Sequence, residues 1–112
     1  MKFQVYSVFD SVSGVYDRIW QSISDGAALR EFTDIACNAD HPIGRHPEHY
    51  SLFRVAEFDD NTGELIVCEP KCIGRAHELV VASRQVDANQ LDAFRRSVNA
   101  SVAGRVGENR RN

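Results

Sequence analysis

The first forty residues change their hydrophobic period twice. In KFQVYSVFD, residues 2–10, apolar and polar side chains alternate and aromatic and β-branched types dominate, which predicts a strand. SVSG, residues 11–14, interrupts it as a turn, with Gly14 free to take a positive φ. VYDRIWQSI, residues 15–23, then predicts a second strand paired with the first as a hairpin. The period next lengthens. In DGAALREFTDIACNA, Leu29, Phe32, Ile35, Ala36 and Ala39 recur at helical spacing, an apolar stripe that must cover something. Ser24 and Asp25 offer oxygens to the free amides at its start, and Asn38, Asp40 and Pro42 end it.

Residues 41–49, HPIGRHPEH, predict a loop, because Pro42 and Pro47 withdraw amide donors and Gly44 loosens the chain between them. YSLFRVAEF is a third strand, DDNTGE a turn and ELIVCE a fourth strand, the strongest hairpin signal in the chain. PKCIGRA reads as irregular, and HELVVASRQV as a short strand or lead-in. A second helix is marked by the capping-box pair Asp87 and Gln90, and by Leu91, Phe94, Val98, Val102 and Val106 one turn apart. Gly104 and Gly107 mark its end.

The order ββαββα predicts an α+β fold: a small antiparallel sheet of about four strands with one helix packed on it and a C-terminal amphipathic helix. The expected boundaries are an α+β core at 1–86, the amphipathic helix at 87–107 and a basic flexible tail at 108–112. One large apolar residue per turn makes a narrow seam, as in helix pairs. The second helix is therefore expected either to cap the sheet or to pair with a copy of itself. A homo-oligomer would place Leu91, Phe94, Val98 and Val102 at the interface.

Candidate chemistry adds little to this pattern. His41, His46 and His49 lie on a segment broken by two prolines, without the fixed spacing that helical ligand pairs provide. Cys68 and Cys72, with Cys37 as the third cysteine and His77 downstream, lack the second short-spaced pair of a structural zinc site, so reduced cytosolic thiols are expected. DDNTGE does not keep the register of a calcium loop, since the twelfth residue from Asp59 is Pro70. No nucleophile elbow, phosphate loop or dinucleotide fingerprint is present, so neither an enzyme nor a cofactor is expected.

At 112 residues the chain suits one domain, long enough to bury a core without disulfides or metal. Its start shows no charged-then-apolar leader, and no apolar run approaches the ~18 residues of a membrane span. The net charge of −3 is unevenly spread. Residues 95–112 carry Arg95, Arg96, Arg105, Arg110 and Arg111 against Glu108, net +4, which leaves −7 on residues 1–94. A basic end of this kind suits phosphate contacts. Arg18 and Arg54 beside Tyr16 and Trp20 would suit base stacking, should their strand face stay open.

VYSVFDSVSGVYDRIWQ, DGAALREF and HPEHYSLFRVAEFDDNTGEL together resemble the small non-structural protein of gokushovirus-like microviruses, which are single-stranded DNA phages. The resemblance spans residues 3–70, in order. His49 stands where that family usually has an acid after Pro-Glu, and residues beyond about 75 have no matching pattern. The resemblance implies a protein of the host cytoplasm that binds single-stranded DNA during genome synthesis or packaging. It names no catalytic residues. It also implies that the His-rich segment is a connector between helix and hairpin. The competing class is a protein-interaction factor that engages replication, procapsid or host proteins without touching DNA, which the acidic body favours.

The connector assignment predicts that the chain folds normally in chelator and reductant, with an unchanged circular dichroism spectrum. Unfolding on chelation, or zinc carried stoichiometrically through purification, would overturn it.

Overall fold

The alternating first segment becomes the inside of a sheet. A computed structural model describes the backbone of residues 1–111 and the side chains of residues 1–85 and 89–98. The strands are β1 (Lys2–Asp10), β2 (Val15–Ser22), β3 (Tyr50–Asp59) and β4 (Leu65–Arg75). They form one antiparallel sheet in the order β2-β1-β3-β4. Helix α1 (Asp25–Ala36) follows the first hairpin, and α2 (Pro42–Arg45) and a short 3-10 turn (Pro47–His49) precede the second. Helix α3 spans Ala76–Arg111. Met1–Val81 form one unit, and the residues from Ala82 onward a second.

Both hairpin turns use the residues their geometry demands. Gly14 and Gly63 have φ of 73° and 75°, a region that L side chains avoid. The Asp10 carboxylate accepts from the Val12 amide and the Ser13 hydroxyl, each at 3.0 Å. Those bonds, the Val12 amide foremost, hold its carboxyl below the usual carboxylate range. Asp59 accepts from the Asn61 amide in the same way at 2.9 Å.

The helix α1 starts where expected, with the Ser24 hydroxyl accepting from the Ala27 amide at 3.2 Å. Its buried stripe is Ala28, Phe32 and Ala36, which keeps Phe32 and Ala36 of the expected line and adds Ala28. Ile35 and Ala39 are exposed, and Leu29 is only half-buried. Against that stripe pack Tyr6, Val8 and Leu52 from the sheet, Ile43 from α2, and Ala76 and Val80 from the start of α3. The first residue of α1 ties the layers together. The Asp25 carboxylate accepts from the Tyr6 hydroxyl at 2.5 Å and from Arg54 Nη1 at 2.7 Å. Burial first, and the adjacent carboxylate second, push the Tyr6 hydroxyl well above the usual phenol range.

Three expectations are corrected. Residues 70–75 are strand, because β4 is the sheet edge and its register slips there. Cys68, Glu69 and Pro70 stand opposite Val55 alone, so the missing proline amide costs no regular ladder bond. Second, residues 77–86 are helix, and α3 begins eleven residues before Asp87, which is therefore inside the helix rather than at its start. The adjacent valines 80 and 81 suggest a strand, but Ala76, Leu79 and Val80 at one-turn spacing pack on the core as a helix. Third, the 41–49 segment is partly helical, with His41 Nδ1 capping α2 by accepting from the Ile43 amide at 3.1 Å.

A close backbone approach fixes the entry to α2. A β-carbon at Gly44 would lie 1.7 Å from the Asn38 carbonyl oxygen, a backbone atom that cannot yield. Gly44→Ala is therefore expected to cost roughly 3 kcal/mol or more in denaturant unfolding. Gly26→Ala, whose nearest neighbour would be 3.9 Å away, should stay within about 0.5 kcal/mol of the parent.

Candidate functional site

Within residues 1–81, the helices cover one face of the sheet only. Cross-strand partners share a face, so the pairs Tyr6–Trp20, Tyr6–Arg54 and Val8–Leu52 define the covered side. Alternation sends Val5, Ser7 and Phe9 to the other side, and their partners Gln21, Ala56, Ile19 and Phe53 with them. This open face is apolar at both ends. At one end, Phe9, Tyr16 and Phe53 form a trio. Ring centroids are 4.9 Å apart for Phe9–Tyr16, 5.6 Å for Tyr16–Phe53 and 6.1 Å for Phe9–Phe53, the last two pairs edge-to-face. At the other end, Val5, Ile19, Gln21, Phe58 and Leu65 line a shallow groove of about 260 Å³, which Trp20 also borders although its strand register and its packing on Tyr6 put it on the covered side.

Two bulges decide which side chains reach this face. Asp17 and Arg18 together stand opposite Val8, so the parity of β2 flips between Ile19 and Tyr16. Strict alternation would put Tyr16 with Trp20; the bulge turns it onto the open face, where it is 44% exposed. A second irregularity, at Val55 between the Val5–Ala56 and Tyr6–Arg54 pairs, keeps Ala56 on the open side. Ser7, buried between the two ends, donates its hydroxyl to the Asp17 carbonyl at 2.8 Å.

The remaining sequence candidates are dispersed. Trp20 lies on the covered face, half-buried and tilted against Tyr6 at 6.1 Å, with its ring packed on the core. Its indole Nε1 is buried without an acceptor among the described residues. Arg54 is engaged with Asp25. Arg18 borders a cavity of about 270 Å³ on the helix side, with Asp17 and Glu31 also lining it. Arg95 and Arg96 are exposed on α3, where Arg96 Nε donates to the Asp92 carbonyl at 3.4 Å. The interface candidates Leu91, Phe94 and Val98 are exposed as well. The side chains of Val102, Arg105, Arg110 and Arg111 lie outside the described residues.

Sequence reasoning missed Arg75. It pairs with Ser51, which pairs with Phe9, and so brings a cation to the aromatic end of the open face. Its guanidinium lies 3.9 Å from Glu78 in a fully solvated pair that is easily exchanged. Asp10 and Asp17 border Tyr16 on the other flank, so the aromatic end has no excess of positive charge of its own. The His-rich connector shows no convergent chemistry. His46 and His49 stack at 5.7 Å and flank Glu48, while His41 serves as a cap. Cys37, Cys68 and Cys72 are exposed free thiols. Among the described residues, no three His, Cys, Asp or Glu side chains gather to hold a metal, and no helix is long and apolar enough to cross a membrane.

Trp20 is thus placed as a core residue with an unpaired donor. Trp20→Phe removes that donor and keeps most of the ring, so stability in denaturant should change by no more than about 1 kcal/mol. Trp20→Ala should cost about 3 kcal/mol.

A family model described as Phage ORF5 protein matches residues 3–79, from β1 through the first turn of α3. No curated protein and no solved structure matches the chain. The matched segment contains every strand, both ends of the open face and Arg75. With well over half of its length inside that match, the chain belongs to the Phage ORF5 protein family.

Proposed function

We propose that this phage protein binds single-stranded DNA, as a non-structural factor of a microvirus acting in genome synthesis or packaging in the host cytoplasm. The observation that carries the proposal is the aromatic trio on the open face. Phe9 and Phe53 lie on the two central strands and Tyr16 on the adjoining edge. Splayed bases stack on such platforms whatever their sequence, whereas paired bases cannot reach them. Arg75 and the exposed Arg95 and Arg96, with Arg105, Arg110 and Arg111 beyond them in sequence, are the candidates for phosphate contact. Trp20 and Arg54 are not assigned to DNA, because one packs against the core and the other holds Asp25. The role is binding, with no catalytic step and no cofactor.

A second reading rests on a specific observation. Residues 1–81 hold seven basic and thirteen acidic side chains, net −6, and an acidic surface repels phosphate. A protein-interaction factor working through the same apolar face would be indifferent to that charge.

A salt series with single-stranded and duplex DNA separates the two. Single strands should be retained more tightly than duplex, and Tyr16→Ala or Phe53→Ala should each cost roughly 1–3 kcal/mol of binding. Replacing Arg95 and Arg96 by Ala should lower the salt slope by up to ~1.4, about 0.7 per phosphate contact, with no base preference. Absence of retention of either form at low salt would sink the DNA proposal and leave the interaction factor.

A further inference from the structure

The chain carries two exposed apolar surfaces that are separate in sequence. One is the groove end of the open face, where Ile19 is 63%, Leu65 51% and Val67 78% exposed. The other is the stripe on α3, where Leu91 is 49%, Phe94 65% and Val98 41% exposed. Neither is an isolated hydrophobe of the kind any surface tolerates; each is a contiguous patch, and such patches mark contact sites. Their shapes are complementary in kind. The groove is concave, of about 260 Å³, and floored by the sheet, while a helix offers one large side chain per turn.

Charge favours the same pairing. From Ala82 onward the chain has six arginines against three acids, net +3, whereas residues 1–81 carry −6. Locally, Phe94 is followed by Arg95 and Arg96, and the turn that adjoins Phe58 and Leu65 carries Asp59, Asp60 and Glu64. The Asp60 carboxylate also holds the N-terminal ammonium, which leaves Asp59 and Glu64 as the further acids of that turn. Two helices of this kind laid against each other would set Arg95 and Arg96 against the same arginines, which opposes simple helix pairing when the helices cross near those residues.

We propose that the groove formed by Val5, Ile19, Phe58 and Leu65 receives the Leu91–Phe94–Val98 stripe of a second copy of this chain, with Phe94 as the inserted side chain. Such a contact joins two different surfaces, so it either closes by exchange between two copies or extends from copy to copy.

The test uses two full-length variants at exposed positions, Phe94→Asp and Ile19→Asp, followed by sedimentation. The parent should self-associate, and each variant should weaken association at least roughly thirty-fold, the loss expected on removing an anchor residue. Mixed in equal amounts, the variants should associate again, in pairs, because one still has an intact groove and the other an intact helix. A parent that is monomeric, or variants that associate as the parent does, would overturn the proposal. Lack of rescue on mixing would overturn it too, and so would one variant that keeps the parent's association, which would indicate helix–helix pairing if it is Ile19→Asp and face–face pairing if it is Phe94→Asp. None of these readings uses DNA, so a failed salt series and a failed rescue are separate results.

Discussion

The Asp25 carboxylate sets the arrangement on which the rest depends. It accepts one hydrogen bond from Tyr6 on β1 and one from Arg54 on β3, the two central strands, while it opens α1. A carboxylate at a helix N-terminus is already favoured by the helix dipole. Here it also determines which face of the sheet the helix lies on, because Tyr6 and Arg54 point the same way. Charge-assisted hydrogen bonds in a partly buried setting are the strong ones, and a phenol held above its usual range remains a donor at any physiological pH. With α1 placed, Phe32 and its neighbours fill one side only. The other side stays without a cover from residues 1–81.

That one-sidedness conflicts with what an ordinary half-solvated sheet shows. Antiparallel sheets with one wet face usually place polar side chains on it. This one places Phe9, Phe53, Phe58 and Ile19 there, with Ser7 hydrogen-bonded internally rather than to solvent. The bulge at Asp17 and Arg18 adds Tyr16 to the same side. Bulges that re-aim a side chain are common beside functional sites. The apolar face is therefore built into the strand register, and is not a by-product of a few stray hydrophobes.

Much of this architecture was legible in the alternation and the turns. Gly14, Gly63 and Ser24 act as their chemistry dictates, and ββαββ follows from them. The parts that were not legible share a cause: they depend on partners far away in sequence. Val80 and Val81 read as strand until Ala76 and Val80 find Phe32 and Leu52 to pack against. The segment from Pro70 to Arg75 reads as irregular until β4 is known to be an edge. Tyr16 and Trp20 look equivalent, four residues apart on one strand, and only the bulge separates a surface ring from a core ring. Arg75 joins the site through Ser51 and Phe9, a relation with no local trace. Arg54, by contrast, was a plausible stacking candidate from its neighbours alone, and is taken up by a carboxylate 29 positions away.

The acidic balance of residues 1–81 looks like an argument against nucleic acid, but the position of the charges matters more than their sum. Asp59 lies six residues along β3 from Phe53, or roughly 20 Å at strand spacing, and charges are screened over about 8 Å at physiological ionic strength. The acids of the second turn are therefore too remote to govern a phosphate beside the aromatic trio. Asp10 and Asp17 are not remote, and Arg75 only offsets part of their effect. A single strand bound there as proposed would thus gain stacking from the sheet and little net attraction from it. In the proposed role the attraction would have to come from the arginines of α3, all of which lie outside the segment that defines the family. If the proposed function holds, the division follows: the family segment would supply a sequence-tolerant platform, and the C-terminal helix the charge that decides how tightly, and at what salt, a single strand is held.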